Sequence, residues 1–177
     1  MRQDVIDNRI NEILNKIIDN PSEKITQAIG AHFTNIFSLD TTAEIKDGNI
    51  FVYPLNHKVK FTIDIDGIFS NVLSYEVKDN QEKVIDVIDE DEPLTKLITD
   101  LLIDDIKDTF KDCQIEFFCR LNIDPSLTET EFNIITDKVF PCIGGGLTDF
   151  DTFVGDKHIS IGYGYNEYLD NIKNALE

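Results

Sequence analysis

Two Asp-x-Asp pairs, Asp64-Ile65-Asp66 and Asp149-Phe150-Asp151, come nearest to catalytic spacing in this chain. Paired carboxylates of this kind hold Mg²⁺ or Mn²⁺ and serve phosphoryl or glycosyl transfer. In a sequence with 34 Asp and Glu among 177 residues, however, such pairs arise by chance. The wet side of a strand, expected for the first pair, and a loop, expected for the second, are also where Asp belongs. Asp64, Asp66, Asp149 and Asp151 therefore stand as metal candidates only, and the first pair lacks the spacing of an EF-hand loop.

The other reactive residue types are scattered. His32, His57 and His158 form no H-x-x-x-H or H-E-x-x-H motif. His32 lies beside an apolar helical stripe and reads as a partly buried histidine. Gly144-Gly145-Gly146 lacks the Lys-Ser or Lys-Thr that completes a P-loop, and reads as chain flexibility after a helix. Cys113, Cys119 and Cys142 contain no C-x-x-C, and three thiols cannot all pair within one chain. On one strand, Cys113 and Cys119 stand roughly 20 Å apart, too far to bridge or to share a metal. Buried free thiols in a reducing compartment are the expectation. A Cys142–His158 pairing in space has no local support. No catalytic set and no cofactor motif is visible.

What stands out is charge. Lys plus Arg number 16, so the net charge is −18. Between Val84 and Ile106 lie Asp86, Asp89, Glu90, Asp91, Glu92, Asp100, Asp104 and Asp105 against Lys96 alone, which is −7 of that total. Asp100, Asp104 and Asp108 follow one another at i, i+4 spacing, where like charges destabilise a helix by roughly 0.2–0.5 kcal/mol per pair. A solvated acidic face explains the run, and so does a surface that meets a basic partner. The composition argues against direct binding to nucleic acid and to anionic membranes, since both recruit Lys and Arg. Acid-rich inhibitors of nucleic-acid enzymes use the same physics, among them anti-CRISPR and anti-restriction proteins of phages and mobile elements, and immunity proteins that neutralise nuclease toxins. The likeness is one of size and charge only. The expectation is an acidic protein-binding module, possessing no cofactor and acting on a basic partner by electrostatic mimicry. A phage structural or assembly protein and a metal-dependent enzyme using an Asp-x-Asp pair are the alternatives.

The elements that position these residues follow from periodicity. Ile6, Ile10, Ile13 and Ile17 mark one amphipathic helix, and Ile25, Ile29, Phe33 and Ile36 a second after Pro21-Ser22. Ala43 and Ile45, the Asp47-Gly48-Asn49 turn, and Ile50 to Val52 make a hairpin. Val59, Phe61, Ile63 and Ile65 alternate with polar residues as a half-buried strand, and Leu73, Tyr75 and Val77 suggest another. Residues 82–88 fit a strand or a helix. Asp91-Glu92-Pro93 opens a helix lined by Leu94, Leu97, Ile98, Leu101, Ile106 and Phe110. Ile115, Phe117, Cys119, Leu121 and Ile123 alternate as a strand, Thr128 and Glu131 form a capping box, and a short strand near 157–162 precedes a helix from about Asn166. The fold class is α+β: an antiparallel β-meander with helices on one face, an N-terminal helical pair and a C-terminal helix, in one domain spanning 1–177. With no apolar run approaching 18 residues and no signal-peptide pattern, the expected location is the cytoplasm, that of the host cell if the gene is phage-borne.

Overall fold

The computed structural model describes residues 1–65, 69–70, 72–109 and 118–177. Helix α1 (Gln3–Asp19) buries Ile6, Ile10, Ile13, Leu14 and Ile17, the stripe its periodicity predicts. Helix α2 (Glu23–Phe37) buries Ile25, Ile29, Phe33 and Phe37, and ends where Ser38 turns left-handed. Strands β1 (Thr41–Lys46) and β2 (Asn49–Pro54) are joined by Asp47 and Gly48, both at positive φ (52° and 76°). Such a turn matches the twist of a hairpin, and Asp-Gly is one of the few dipeptides that adopts it cheaply. Strand β3 (Val59–Asp64) pairs antiparallel with β2 and with β4 (Phe118–Ile123).

Among the described residues six strands form one sheet in chain order, completed by β5 (Asp151–Val154) and β6 (Lys157–His158). The α+β class holds, but the sheet is not a pure meander. β5 runs parallel to β4. A parallel neighbour needs a crossover, and the chain between them supplies it with α5 (Glu129–Lys138), a helical turn Phe140–Ile143 and a 3₁₀ turn Gly144–Thr148. The Gly144–Gly146 segment thus lies in a 3₁₀ turn within the crossover.

Alternation sorts the sheet into two faces. Ala43, Val52, Phe61, Leu121 and Thr152 are register neighbours on the inner face, with Ile45, Ile50, Ile63 and Phe118 in the next row. Helix α2 supplies Phe33 and Phe37 to this face. Phe61 and Phe118 meet edge-on at 5.4 Å, Phe118 lies 5.9 Å from Phe33, and Phe150 sits 6.2 Å from both Phe61 and Phe118. Gly30 allows the close approach of α2 to β1, since a Cβ there would stand 3.1 Å from the Thr41 carbonyl oxygen. Helix α4 (Asp91–Thr109) packs against α1 and α2, preceded by α3 (Gln81–Val87). Helix α6 (Tyr165–Leu176) is fastened by a hydrogen bond between Tyr168 and Thr152, both buried.

Several expectations are corrected. Leu73 to Val77 is not a strand: Val72–Glu76 is a π-helical turn that runs into helical Val77–Asp79, and residues 82–87 belong to α3. Alternation alone cannot separate strand from helix over so few residues. The strand near 157–162 is only Lys157–His158. In β4, a bulge opposite Thr62 and Ile63 adds one residue, so Phe118 and Leu121 both point inward while Cys119 and Arg120 lie exposed. A bulge resets alternation, which removes Cys119 from the apolar row assigned to it. Cys142 is half-buried, so neither described thiol is the buried residue expected. Tyr75's side chain, Phe110, Ile115, Phe117 and Cys113 fall outside what is described. Val59, Phe61, Ile63, Ile65 and Leu121 are buried as anticipated.

The capping box of α5 is complete: the Glu131 backbone N–H donates to Thr128 Oγ1 at 3.2 Å, and the Thr128 N–H to Glu131 Oε1 at 3.0 Å. Lys58 Nζ (2.9 Å) and Asn56 Nδ2 (2.7 Å) donate to the same carboxylate. Led by Lys58, these donors pull the Glu131 pKa down to about 2. The stability it contributes is complete above its ordinary pKa and is lost as pH falls toward about 2. Replacing Thr128 with alanine should cost about 1 kcal/mol, measured by urea unfolding, because one helix N–H loses its acceptor.

Candidate functional site

The acidic run occupies α3, the connection after it, and α4. The fold divides its carboxylates into three groups. The first is consumed within the molecule. Asp91 is paired with Arg9 and, at 3.7 Å, with Lys16, both on α1. Arg9 also donates to the Ile88 carbonyl at 3.1 Å, so it holds the turn before α4 as well as its first residue. Asp100 receives Lys24 Nζ of α2 at 2.8 Å. These two acids tie α4 to the N-terminal helical pair, as the attraction of a cation from a neighbouring helix would have it.

The second group is Asp105 alone. Sequence spacing places it with Asp104 on the wet side, but it is 7 % exposed, between Ile103 and Ile106 on the core side of α4. Its Oδ2 is buried with no hydrogen-bond partner among the described residues. Burial, then Glu76 and Asp108, push its pKa up to about 6. Asp105 is therefore not part of an acidic surface. The inner stripe of α4 is wider than the apolar letters alone suggest, because α1, α2 and the π-helical turn all pack on it.

The third group is available. Asp86, Asp89, Glu90, Glu92, Asp104 and Asp108 are exposed and have no ion pair among the described residues. Asp86, Asp89, Glu90 and Glu92 are close along the chain at the α3–α4 junction, and Asp104 and Asp108 stand one turn apart farther along α4.

The metal candidates do not converge. No group of three or more His, Cys, Asp or Glu able to hold a metal occurs among the described residues. Asp64 is exposed at the end of β3, and Asp66 lies outside the described residues. Asp149 is exposed, and Asp151 begins β5 instead of lying in a loop, with its carboxylate 3.4 Å from His158 Nε2. His158, whose register partner is Phe153, thus reaches Asp151 by its side chain and is not a partner of Cys142, whose thiol donates to backbone carbonyls of Ile36 and Lys138. Cys119 donates to the Thr62 carbonyl at 3.5 Å, and burial with the nearby Asp64 raises its pKa, which keeps it a thiol.

One arrangement was not anticipated from the sequence. On the outer sheet face Lys60 Nζ sits 4.7 Å from the centre of the Phe51 ring, and the Arg120 guanidinium 5.1 Å from that of Phe153. Alternation in β2, β3 and β4 places Phe51, Lys60 and Arg120 on that face, but only the register of the sheet brings them side by side. No protein-family model, no curated protein and no solved structure matches the chain significantly. The site must be read from its own chemistry. No described helix is long and apolar enough to cross a membrane.

Proposed function

We propose that this protein binds a basic protein partner through the unpaired carboxylates of α3 and α4, and that the partner is a nucleic-acid enzyme whose phosphate-binding groove the acids occupy. The observation that carries this reading is the third group above: six exposed carboxylates without cationic partners among the described residues, on α3, on α4 and on the connection between them, with α4 anchored by Arg9 and Lys24. Carboxylates on a rigid frame present charge at fixed spacing, which is what a cleft built for phosphates selects. A purely solvating face has no need of such anchoring.

The test is affinity capture from a lysate, comparing the native protein with a variant in which Asp86, Asp89, Glu90 and Glu92 are replaced by Lys. Nucleic-acid enzymes with basic clefts should be enriched by the native chain and lost with the variant. Capture should also weaken steeply with salt, because the Debye length falls from about 10 Å at 0.1 M to about 3 Å at 1 M. A variant that melts normally and captures the same proteins with the same salt dependence overturns the proposal. Replacing Asp91, Asp100 or Asp105 would not test it, since the first two pair with α1 and α2 and the third is buried.

A further inference from the structure

The face of the sheet opposite the helices carries a second chemistry. Register places Phe51, Thr62, Arg120 and Asp151 in one row across β2 to β5, and Lys60, Asn122, Phe153 and His158 in the next across β3 to β6. Phe51, Lys60, Thr62, Arg120, Asn122 and Asp151 border a recess of about 520 Å³, with Thr62 buried in it. That volume falls in the range of small-molecule sites, about 300–1,000 Å³.

Three observations define what would fit. Lys60 and Arg120 have no carboxylate partner among the described residues, although the chain holds 34 acids. Each instead lies against an aromatic ring, which keeps its charge near an apolar surface and poised for an anion. Phe51 is half-buried, and its ring borders the recess with the Lys60 ammonium against it. Thr62 and Asn122 add hydroxyl and amide groups between them. The carboxylate in the recess, Asp151, faces His158 at 3.4 Å, and the Glu44 carboxylate nearby accepts from Tyr53 Oη at 3.2 Å. A bulge lies beside the recess: Arg120 keeps its regular place opposite Thr62, Phe118 stands opposite Ile63 in the core, and the extra residue, Cys119, is turned to the recess. Bulges recur beside functional sites for this reason, since they re-aim one side chain without disturbing the core.

We infer that this recess binds a small anion bearing a planar ring, of the nucleoside monophosphate class, with the ring on Phe51 and the phosphate between Lys60 and Arg120. Two cations match one phosphate. A longer polyanion would gain little more here and would meet the repulsion of a chain at −18. The inference is independent of the acidic helical face, which lies on other elements.

The experiment is a titration of the full ¹⁵N-labelled chain with AMP, followed by amide shifts and by calorimetry, with adenosine, inorganic phosphate and a single-stranded oligonucleotide as comparisons. AMP should shift amides of β2, β3 and β4, and should bind at least about tenfold more tightly than adenosine or phosphate alone, a difference that combined recognition of ring and charge produces. Arg120→Gln should weaken AMP about tenfold without changing the melting temperature, because that side chain is exposed. Phe51→Tyr should retain binding where Phe51→Ala loses it. Absence of AMP-dependent shifts on this face, equal binding of phosphate alone, unaltered affinity in Arg120→Gln, or binding of the oligonucleotide but not of AMP would each overturn the inference.

Discussion

Replacing Phe61 with alanine is expected to destabilise the protein by about 3–5 kcal/mol, enough to unfold a domain of ordinary stability under mild conditions. Phe61 has no exposed surface. Its ring meets Phe118 at 5.4 Å, Phe150 at 6.2 Å and Phe37 at 6.4 Å, so it joins α2, β4 and the chain entering β5. Truncation removes the transfer energy of the ring and also leaves a cavity that three other rings cannot close without losing their own geometry. Equilibrium unfolding in urea measures the loss. A cost below about 1.5 kcal/mol, typical of a site that can repack, would show that the aromatic cluster is not the centre of the core. Phe61→Leu, which keeps most of the volume, should fall between the two and fold normally.

The legibility of this core in the sequence has a physical limit that the same residue illustrates. Val59, Phe61 and Ile63 alternate with polar residues over a full strand, and a period of two sustained that long admits one reading. The helices α1 and α2 were legible for the corresponding reason, since their apolar spacing holds over several turns. Leu73, Tyr75 and Val77 showed the same alternation across a shorter stretch, and there the packing of the chain against α4 decided for a π-helical turn. Cys119 failed differently: one inserted residue at a bulge puts it outside the alternation that Leu121 and Ile123 keep, and the letters do not record which residue is extra. For the candidate site, the sequence identified where negative charge concentrates but not which charges are spent. Arg9 and Asp91 are far apart in the chain, as are Lys24 and Asp100, and only the packing of α1 and α2 on α4 brings them together.

Asp105 shows how far such misassignment reaches, because an acid assigned to the surface is here a source of instability. Its pKa rises to about 6 in the folded chain, chiefly through burial, with Glu76 and Asp108 adding repulsion. An unfolded chain titrates it near 3.9. Above pH 6 the carboxylate is charged in both states, and the folded state bears the cost of enclosing it. As pH falls from 6 toward 4, the folded protein takes up a proton that the unfolded chain does not, so this group makes the protein more stable on mild acidification. A shift of about two units corresponds to at most about 3 kcal/mol, and water around the exposed Asp108 screens part of it. We therefore expect Asp105→Asn to stabilise the protein by about 1–2 kcal/mol at pH 7.5, with the gain falling to roughly a third by about pH 4.5 and vanishing only below the unfolded pKa near 3.9. Melting curves of both proteins across that range measure it. The amide keeps the shape and removes the charge, so a variant equally or less stable at pH 7.5 would mean that the native carboxylate is compensated there. Should the gain appear at pH 7.5 and persist unchanged at pH 4.5, charge would not be its origin, since the native side chain is then itself neutral in the fold.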